Sequence, residues 1–494
     1  MLLRRCCPTL AVAALLVTLT SPSTHASDLP ALVGVTASPT GEYVTRPDID
    51  PPTLTTSGTG EQAPGLLFTT PGTFLAPDFE AVVYDDRGEL VWWGDAPAEH
   101  SIFDLEPVTF RGEPALVYWE GSMVQADGST LPDNEYVVLD DSYREIVSFS
   151  AGNGYATDSH DIEFSPDGSR VLLAGFRFVP YDLSPYGGPA DATLVDMVVQ
   201  EQDVATGEIT FEWNALEHIP LTETEESFTE HGEVPFAFDF FHFNALDYDT
   251  DGDLLISGRN TSTVYKVDRE TGEIVWRFGG ANSDFAVADP AALPSYQHDV
   301  YRLPDGRLSM FDNGNRRTPQ YSRGVVYELD EETMTAELVR DVQPAEQTYG
   351  FATGSMRRQE NGNQLVSYAD TGLLEEYDAA GPVFTATFEA DHLTYRAERA
   401  EWRATPATPP DAALGEPAED GSRTVYASWN GATEVVRWRI EAGPTVEELR
   451  PLGTTPSLGF ETAVQTHPPD DAQVFRVTAL DASGAPLGSR TLTQ

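Results

Sequence analysis

The chain has 494 residues, of which 80 are Asp or Glu and 29 are Lys or Arg, so its formal net charge is −51. This length predicts two or three domains and a large core. The acidic balance argues against nucleic acid, which needs a basic footprint, and against anionic membrane surfaces.

Residues 1–26 read as a signal peptide. Arg4 and Arg5 precede an apolar run from Leu10 to Leu19, and Thr24-His25-Ala26 places a small residue before a cut. The run is short for a membrane span. The expected location is secreted, extracellular or in the cell envelope, the periplasm in a Gram-negative cell. Cys6 and Cys7 precede the apolar run, so cleavage leaves a chain with no disulfide and no thiolate.

Residues 27–65 are rich in Pro, Thr and Gly, and RPDIDPPTL (46–54) is extended, because its prolines oppose helix. A pattern then recurs. Its first half is an aspartate turn running into an apolar strand: YDDRGELVWW (84–93), LDDSYREIVSF (139–149), DVATGEITFEW (203–213), VDRETGEIVWRF (267–278), LDEETMTAELV (329–339) and YDAAGPVFTATF (377–388). Its second half is a glycine turn followed by a strand. It occurs at 111–119, 166–177, 250–259, 304–314 and 360–370. No long amphipathic helix interrupts the series. Repeats of this size built from short strands predict an all-β fold, a six-bladed β-propeller over residues 27–405. Residues 30–80 are expected to supply the missing sixth second half and close the ring. Residues 406–424 (PATPPDAALGEPAEDGSRT) read as a Pro- and acid-rich linker. The alternating strands of 425–494 read as a fibronectin/Ig-like β-sandwich, an accessory domain.

Three stretches share a feature. In SHDIEFSPDG, FHFNALDYDTDG and QHDVYRLPDG, the histidines His160, His242 and His298 stand 8, 10 and 8 residues before the turn glycine. Each is followed within two positions by Asp161, Asn244 or Asp299. In a propeller the strand entering such a hairpin is the inner one, so three successive blades would aim three imidazoles into one funnel. Imidazole serves as nucleophile, acid or base near neutral pH, and three of them can also bind zinc. Arg259 and Arg177 end equivalent strands, and a cation among histidines suits an oxyanion. The chain has no HExxH, G-x-S-x-G, P-loop or Rossmann motif.

These stretches resemble the arylsulfotransferase family, the bacterial aryl-sulfate sulfotransferases that do not use an adenylyl-sulfate donor. The resemblance is carried by HDIEF (160–164), HFN with its downstream SGR (242–259), TGEIVWRFGG (271–280), QHD (297–299) and FDNG (311–314). RPDIDPP (46–52), GNQLV (362–366) and TYRAERAEW (394–402) extend it over about residues 40–405. It implies a six-bladed propeller that moves a sulfuryl group from one phenol to another. It implies that His298 is the nucleophile, that His242 and Asn244 assist proton transfer and hold the sulfuryl oxygens, that Arg259 stabilises the sulfuryl charge, and that His160 completes the site. No cofactor or metal is implied, and the partners would be a phenolic sulfate donor and a phenolic acceptor. Two other readings stay open on the residues alone. One is a non-enzymatic binding propeller with structural histidines. The other is a metal-dependent hydrolase or lyase that combines the histidines with Asp161 or Asp299.

Overall fold

The structure, a computed structural model, describes residues 32, 34–73, 79–122, 133–229 and 236–494. The expected signal peptide, residues 1–26, and both cysteines lie outside the described residues. Within them the chain is all-β: helix is limited to one turn at Ala215–His218 and a few 3-10 turns, and almost every strand pairing is antiparallel. No helix among these residues is long and apolar enough to cross a membrane.

The aspartate turns form as hairpins because each carboxylate accepts backbone N–H groups of its own turn. Asp85 takes Arg87 and Glu89, Asp140 takes Ser142 and Arg144, and Asp203 takes Ala205 and Thr206. Asp268 takes Glu270 and Thr271, Asp330 takes Glu332 and Thr333, and Asp378 takes Ala380 and Gly381. A short side chain thereby satisfies donors that the reversing backbone leaves unpaired. All six turns join the third and fourth strands of a meander. The five glycine turns join first and second strands.

Five meanders start at Ser101–Phe110, Ala156–Phe164, Phe243–Tyr248, His298–Arg302 and Ser355–Arg358. A sixth is assembled from both parts of the chain. Leu393–Ala400 is its first strand and pairs with Leu66–Gly72, which continues into Ala81–Tyr84 and Leu90–Gly94. Just upstream, Leu54–Gly58 adds an outer strand to the neighbouring sheet by pairing with Pro382–Phe388. The first strands of the six sheets touch one another in cyclic order, with Leu393–Ala400 meeting both Ser355–Arg358 and Ser101–Phe110. The inner strands have two apolar faces, as in the fully buried Leu254–Gly258 and Leu308–Asp312. They bury these faces against the next sheet: Val264, Trp276 and Phe278 of one pack with Val300, Met310 and Tyr327 of the next.

The C-terminal region differs from expectation in two places. Residues 406–424 are not a free linker, because Asp411–Leu414 is a strand paired with Arg423–Ser428. In addition, Val35–Ala37 leaves the N-terminal region to pair with Glu461–Thr466. Composition registered the prolines here, and a short edge strand takes its identity from a partner far along the chain. Two four-stranded sheets result, closed over Val425, Trp438, Ile440, Val464, Phe475 and Val477. This unit is seated on the ring. Asn430 exchanges two hydrogen bonds with Trp93 (2.8 Å each), the Gly431 N–H donates to Val91, and the Tyr143 hydroxyl donates to the Gly431 carbonyl at 2.9 Å.

Candidate active site

The first strands of three successive sheets carry His160 and His298, with His242 one residue before Phe243–Tyr248, and close to each histidine the pairing register breaks. It slips between Thr157 and Ile162, between Phe243 and Ala245, and between His298 and Tyr301. Bulges of this kind re-aim side chains. His242 sits at φ 51° and Asp299 at φ 54°, left-handed values that a non-glycine residue holds only where its surroundings compel it. The imidazoles of His160 and His242 meet edge to face with centroids 5.0 Å apart.

Each imidazole is held by a second group. His160 Nδ1 lies 2.7 Å from Asp158 Oδ1, and His242 Nδ1 lies 2.6 Å from Asp239 Oδ2. Burial alone would raise the Asp239 carboxyl pKa, but the facing His242 imidazole and its hydrogen bonds hold it below the usual range. His298 is almost fully buried. Its Nδ1 faces Asn313 Oδ1 at 2.7 Å and the Tyr296 carbonyl at 3.1 Å, while its Nε2 accepts the Thr353 N–H at 3.2 Å. Two acceptors at Nδ1 and a donor at Nε2 set the tautomer, with the proton on Nδ1 and the lone pair on Nε2. Burial pushes the His298 pKa well below the ordinary imidazole value, and the Arg259 charge pushes it further. The ring is therefore a neutral base.

Arg259 is buried beside these rings. Its Nη1 donates to Asn260 Oδ1 at 3.1 Å, its Nη2 donates to the Phe351 carbonyl at 3.0 Å, and its Cζ stands 4.9 Å from the Tyr296 ring centroid. Arg177, at the equivalent strand end one sheet earlier, does not join it. Its Nε pairs with Asp196 at 2.7 Å over the Tyr155 ring.

The residues that follow the histidines turn away from them. Asp161 accepts the Leu246 N–H at 2.7 Å, Asp299 accepts the Met356 N–H at 2.8 Å, and Asn244 Nδ2 donates to the Gln297 carbonyl at 2.6 Å. Each thus ties its sheet to the next one, and Asn244 braces the peptide that enters His298. Among the described residues, the histidines form no group with Asp161 or Asp299 whose ligand atoms lie within 4.8 Å of one another. Among the described residues, one group of three such side chains brings its ligand atoms within 4.8 Å of one another: Asp104, Glu106 and Asp161. Its cation is Arg396, whose Nη1 lies 3.1, 3.0 and 2.8 Å from the three carboxylates.

Arg396 sits at the centre of the ring, reaching Asp299 and the Asn244 carbonyl as well. Arg357 beside it pairs with Asp299 at 2.6 Å, Glu106 at 3.1 Å and Glu398 at 3.0 Å. Carboxyls outnumber guanidinium groups here. Burial pushes Asp247 up to about 7 and Glu398 up to about 8. Carboxyls raised in this way favour the folded state at low pH, and that advantage disappears as pH rises through 7 to 8. Asp247→Asn and Glu398→Gln should therefore raise the melting temperature more at pH 9 than at pH 5, which thermal unfolding at the two pH values checks.

The sequence reading missed Asp158, Asp239, Tyr296, Asn313, Thr353 and Arg396. The orienting carboxylates come before the histidines, as D-x-H at 158–160 and D-x-x-H at 239–242. Asn313 is the third residue of FDNG (311–314).

No curated protein matches the chain. Among solved structures it is similar to a protein of unknown function from Bacteroides caccae, at 12% identity and TM-score 0.41, with 68% of this chain and 98% of that one covered. It is also similar to the Dos1 propeller, at 12% identity, TM-score 0.31 and coverage of 82% and 76%, and to virginiamycin B lyase from Staphylococcus aureus, at 8%, 0.33, 84% and 98%. None of these likenesses, at such scores, bears on the chemistry. The family model described as Arylsulfotransferase (ASST) is different in kind. It matches residues 106–389, a span that includes His160, His242, Arg259, His298 and Asn313. More than half of the chain falls within it, and this chain belongs to the arylsulfotransferase family.

Proposed function

We propose that this protein transfers a sulfuryl group from an aryl sulfate to a phenolic acceptor through a sulfohistidine at His298. The six-sheet ring is read as the six blades of a β-propeller, the two C-terminal sheets as a sandwich, and the protein as exported. One observation supports the chemistry above the others: a buried, neutral imidazole with its lone pair on Nε2, where it accepts the Thr353 N–H, next to a buried guanidinium.

In this reading His298 Nε2 attacks the sulfur of ArO–SO₃⁻. The N–S bond forms, the S–O(aryl) bond breaks, and the bonding pair leaves on the phenoxide. The sulfated ring keeps its Nδ1 proton and is held by Asn313. The phenol acceptor then attacks the sulfur and the N–S bond breaks, returning neutral His298. Arg259 faces the spread negative charge of the sulfuryl oxygens, and fixed charges of this kind supply much of the catalysis in group transfer. Its positive charge suits an anion and opposes a metal cation. His242, oriented by Asp239, gives a proton through Nε2 to the leaving phenoxide and recovers it from the incoming phenol. His160, oriented by Asp158, stands against it.

The test is an aryl sulfate offered without acceptor. Phenol release should stop after one equivalent per protein and resume when a second phenol is added. Continuous release without acceptor, or none at all, would remove the reading. The proton-donor role makes a separate expectation. Asp239→Ala should slow turnover about 10- to 100-fold, because it loosens the His242 ring. The loss should be larger for aryl sulfates whose phenols are more basic, as a leaving-group series would reveal.

A further inference from the structure

Tyr296 stands two residues before His298 and is itself 5% exposed. Its backbone is at φ 56°, a left-handed value that only glycine adopts freely. It touches both proposed reacting groups. Its carbonyl lies 3.1 Å from His298 Nδ1, and its ring carries the Arg259 guanidinium 4.9 Å from the centroid. Its hydroxyl is gripped from two other connections. Arg316 Nη2 donates to it at 2.7 Å, and it donates in turn to the Glu226 carboxylate. Arg316 is fixed by Glu225, with Nε 3.0 Å from Oε2, and its own Cζ lies 5.1 Å from the same ring. The Tyr296 N–H donates to Ser262 Oγ at 3.2 Å.

A strained backbone persists only where surrounding contacts over-determine it, and such positions cluster at functional sites. Here the contacts hold one aromatic ring flat against a cation that has hydrogen-bond partners at both Nη atoms. Stacking on a tyrosine fixes the plane of a guanidinium at little entropic cost. The same residue fixes the proton on His298 Nδ1. We infer that Tyr296 is a positioning residue that sets Arg259 and His298 relative to each other, locked by Arg316 and Glu226. The inference rests on the sulfohistidine reading for its kinetic consequence but not for its structural one.

The experiment compares Tyr296→Phe, Tyr296→Ala and Tyr296→Gly. Glycine suits φ 56°, so the last variant removes the ring while relieving the backbone and folds even where alanine does not. Two readouts are followed: the rate of first-turnover sulfation per folded molecule, and the titration of the His298 imidazole by NMR. Tyr296→Phe keeps the ring over Arg259 but loses the bonds to Arg316 and Glu226, so it should sulfate at a rate between those of wild type and Tyr296→Gly. Tyr296→Gly should be about 10- to 100-fold slower, since misplaced catalytic groups lose rate on that scale. Its His298 should titrate at higher pH, because the guanidinium that disfavours the imidazolium recedes. A purely structural role would lower the folded fraction and leave both readouts unchanged per folded molecule, which would overturn the inference. So would a phenylalanine variant as slow as the glycine one. The titration needs no turnover, so a wild-type protein that accepts no sulfuryl group defeats the reading of function while the titration still decides the role of Tyr296.

Discussion

His298→Ala should take up no sulfuryl group. Wild-type protein incubated with an aryl sulfate alone should gain one sulfuryl group by intact mass, and peptide mapping at neutral pH should place it within residues 295–302. The expectation follows from the geometry of one ring. Asn313 and the Tyr296 carbonyl hold the Nδ1 proton, and the remaining nitrogen has a lone pair that now accepts the Thr353 N–H at 3.2 Å. No neighbouring imidazole has this arrangement, because Nδ1 of His160 and of His242 each faces a carboxylate. Neighbours can orient a sulfuryl group but cannot substitute for the atom that bonds to it. Both half-reactions should therefore disappear together. A sulfuryl group mapped to His242 or His160 would move the nucleophile within the same site, and an active His298→Ala protein would refute covalent transfer.

Arg259→Gln should slow sulfation by about 10²–10³-fold, the usual consequence of losing one preorganised group at developing charge. It should also move the pH profile, and the sign can be worked out. The His298 pKa is lowered first by burial and second by the Arg259 charge. A lowered imidazole pKa keeps the ring unprotonated, and so nucleophilic, well into acid. In the wild type the acid limb due to His298 should lie below the ordinary imidazole value. Without the guanidinium, the second-largest of the forces that disfavour the imidazolium is gone, so the limb should shift upward. Single-turnover rates across pH measure both effects. A uniform loss with an unmoved acid limb would show that Arg259 and His298 do not share a site electrostatically.

Much of the site was legible along the chain because the fold repeats. A histidine 8 or 10 residues before each of three turn glycines becomes three histidines on or at the start of adjacent inner strands. The six aspartate turns that marked the meanders also form them, through carboxylates that accept the N–H groups of their own turns. Strand alternation points the residue after a histidine to the opposite face, away from the imidazole. Asp161 and Asp299 consequently tie neighbouring sheets together, and Asn244 braces the Gln297 peptide.

The sequence by itself determined the all-β class, the number of turn repeats, the three imidazoles and Arg259, because these depend on spacing within one repeat. Only the tertiary structure decided which groups orient them. Asp158 and Asp239 act locally but upstream, while Tyr395 donates its hydroxyl to the His160 carbonyl from 235 positions away. Arg396, which gathers carboxylates from several sheets at the centre of the ring, has no local signature at all. The same holds for Val35–Ala37, which finds its partner strand more than 400 residues along the chain. Contacts of this range arise from ring closure and burial, and a side chain that must neutralise buried charge takes its partners from whichever strands closure brings within reach.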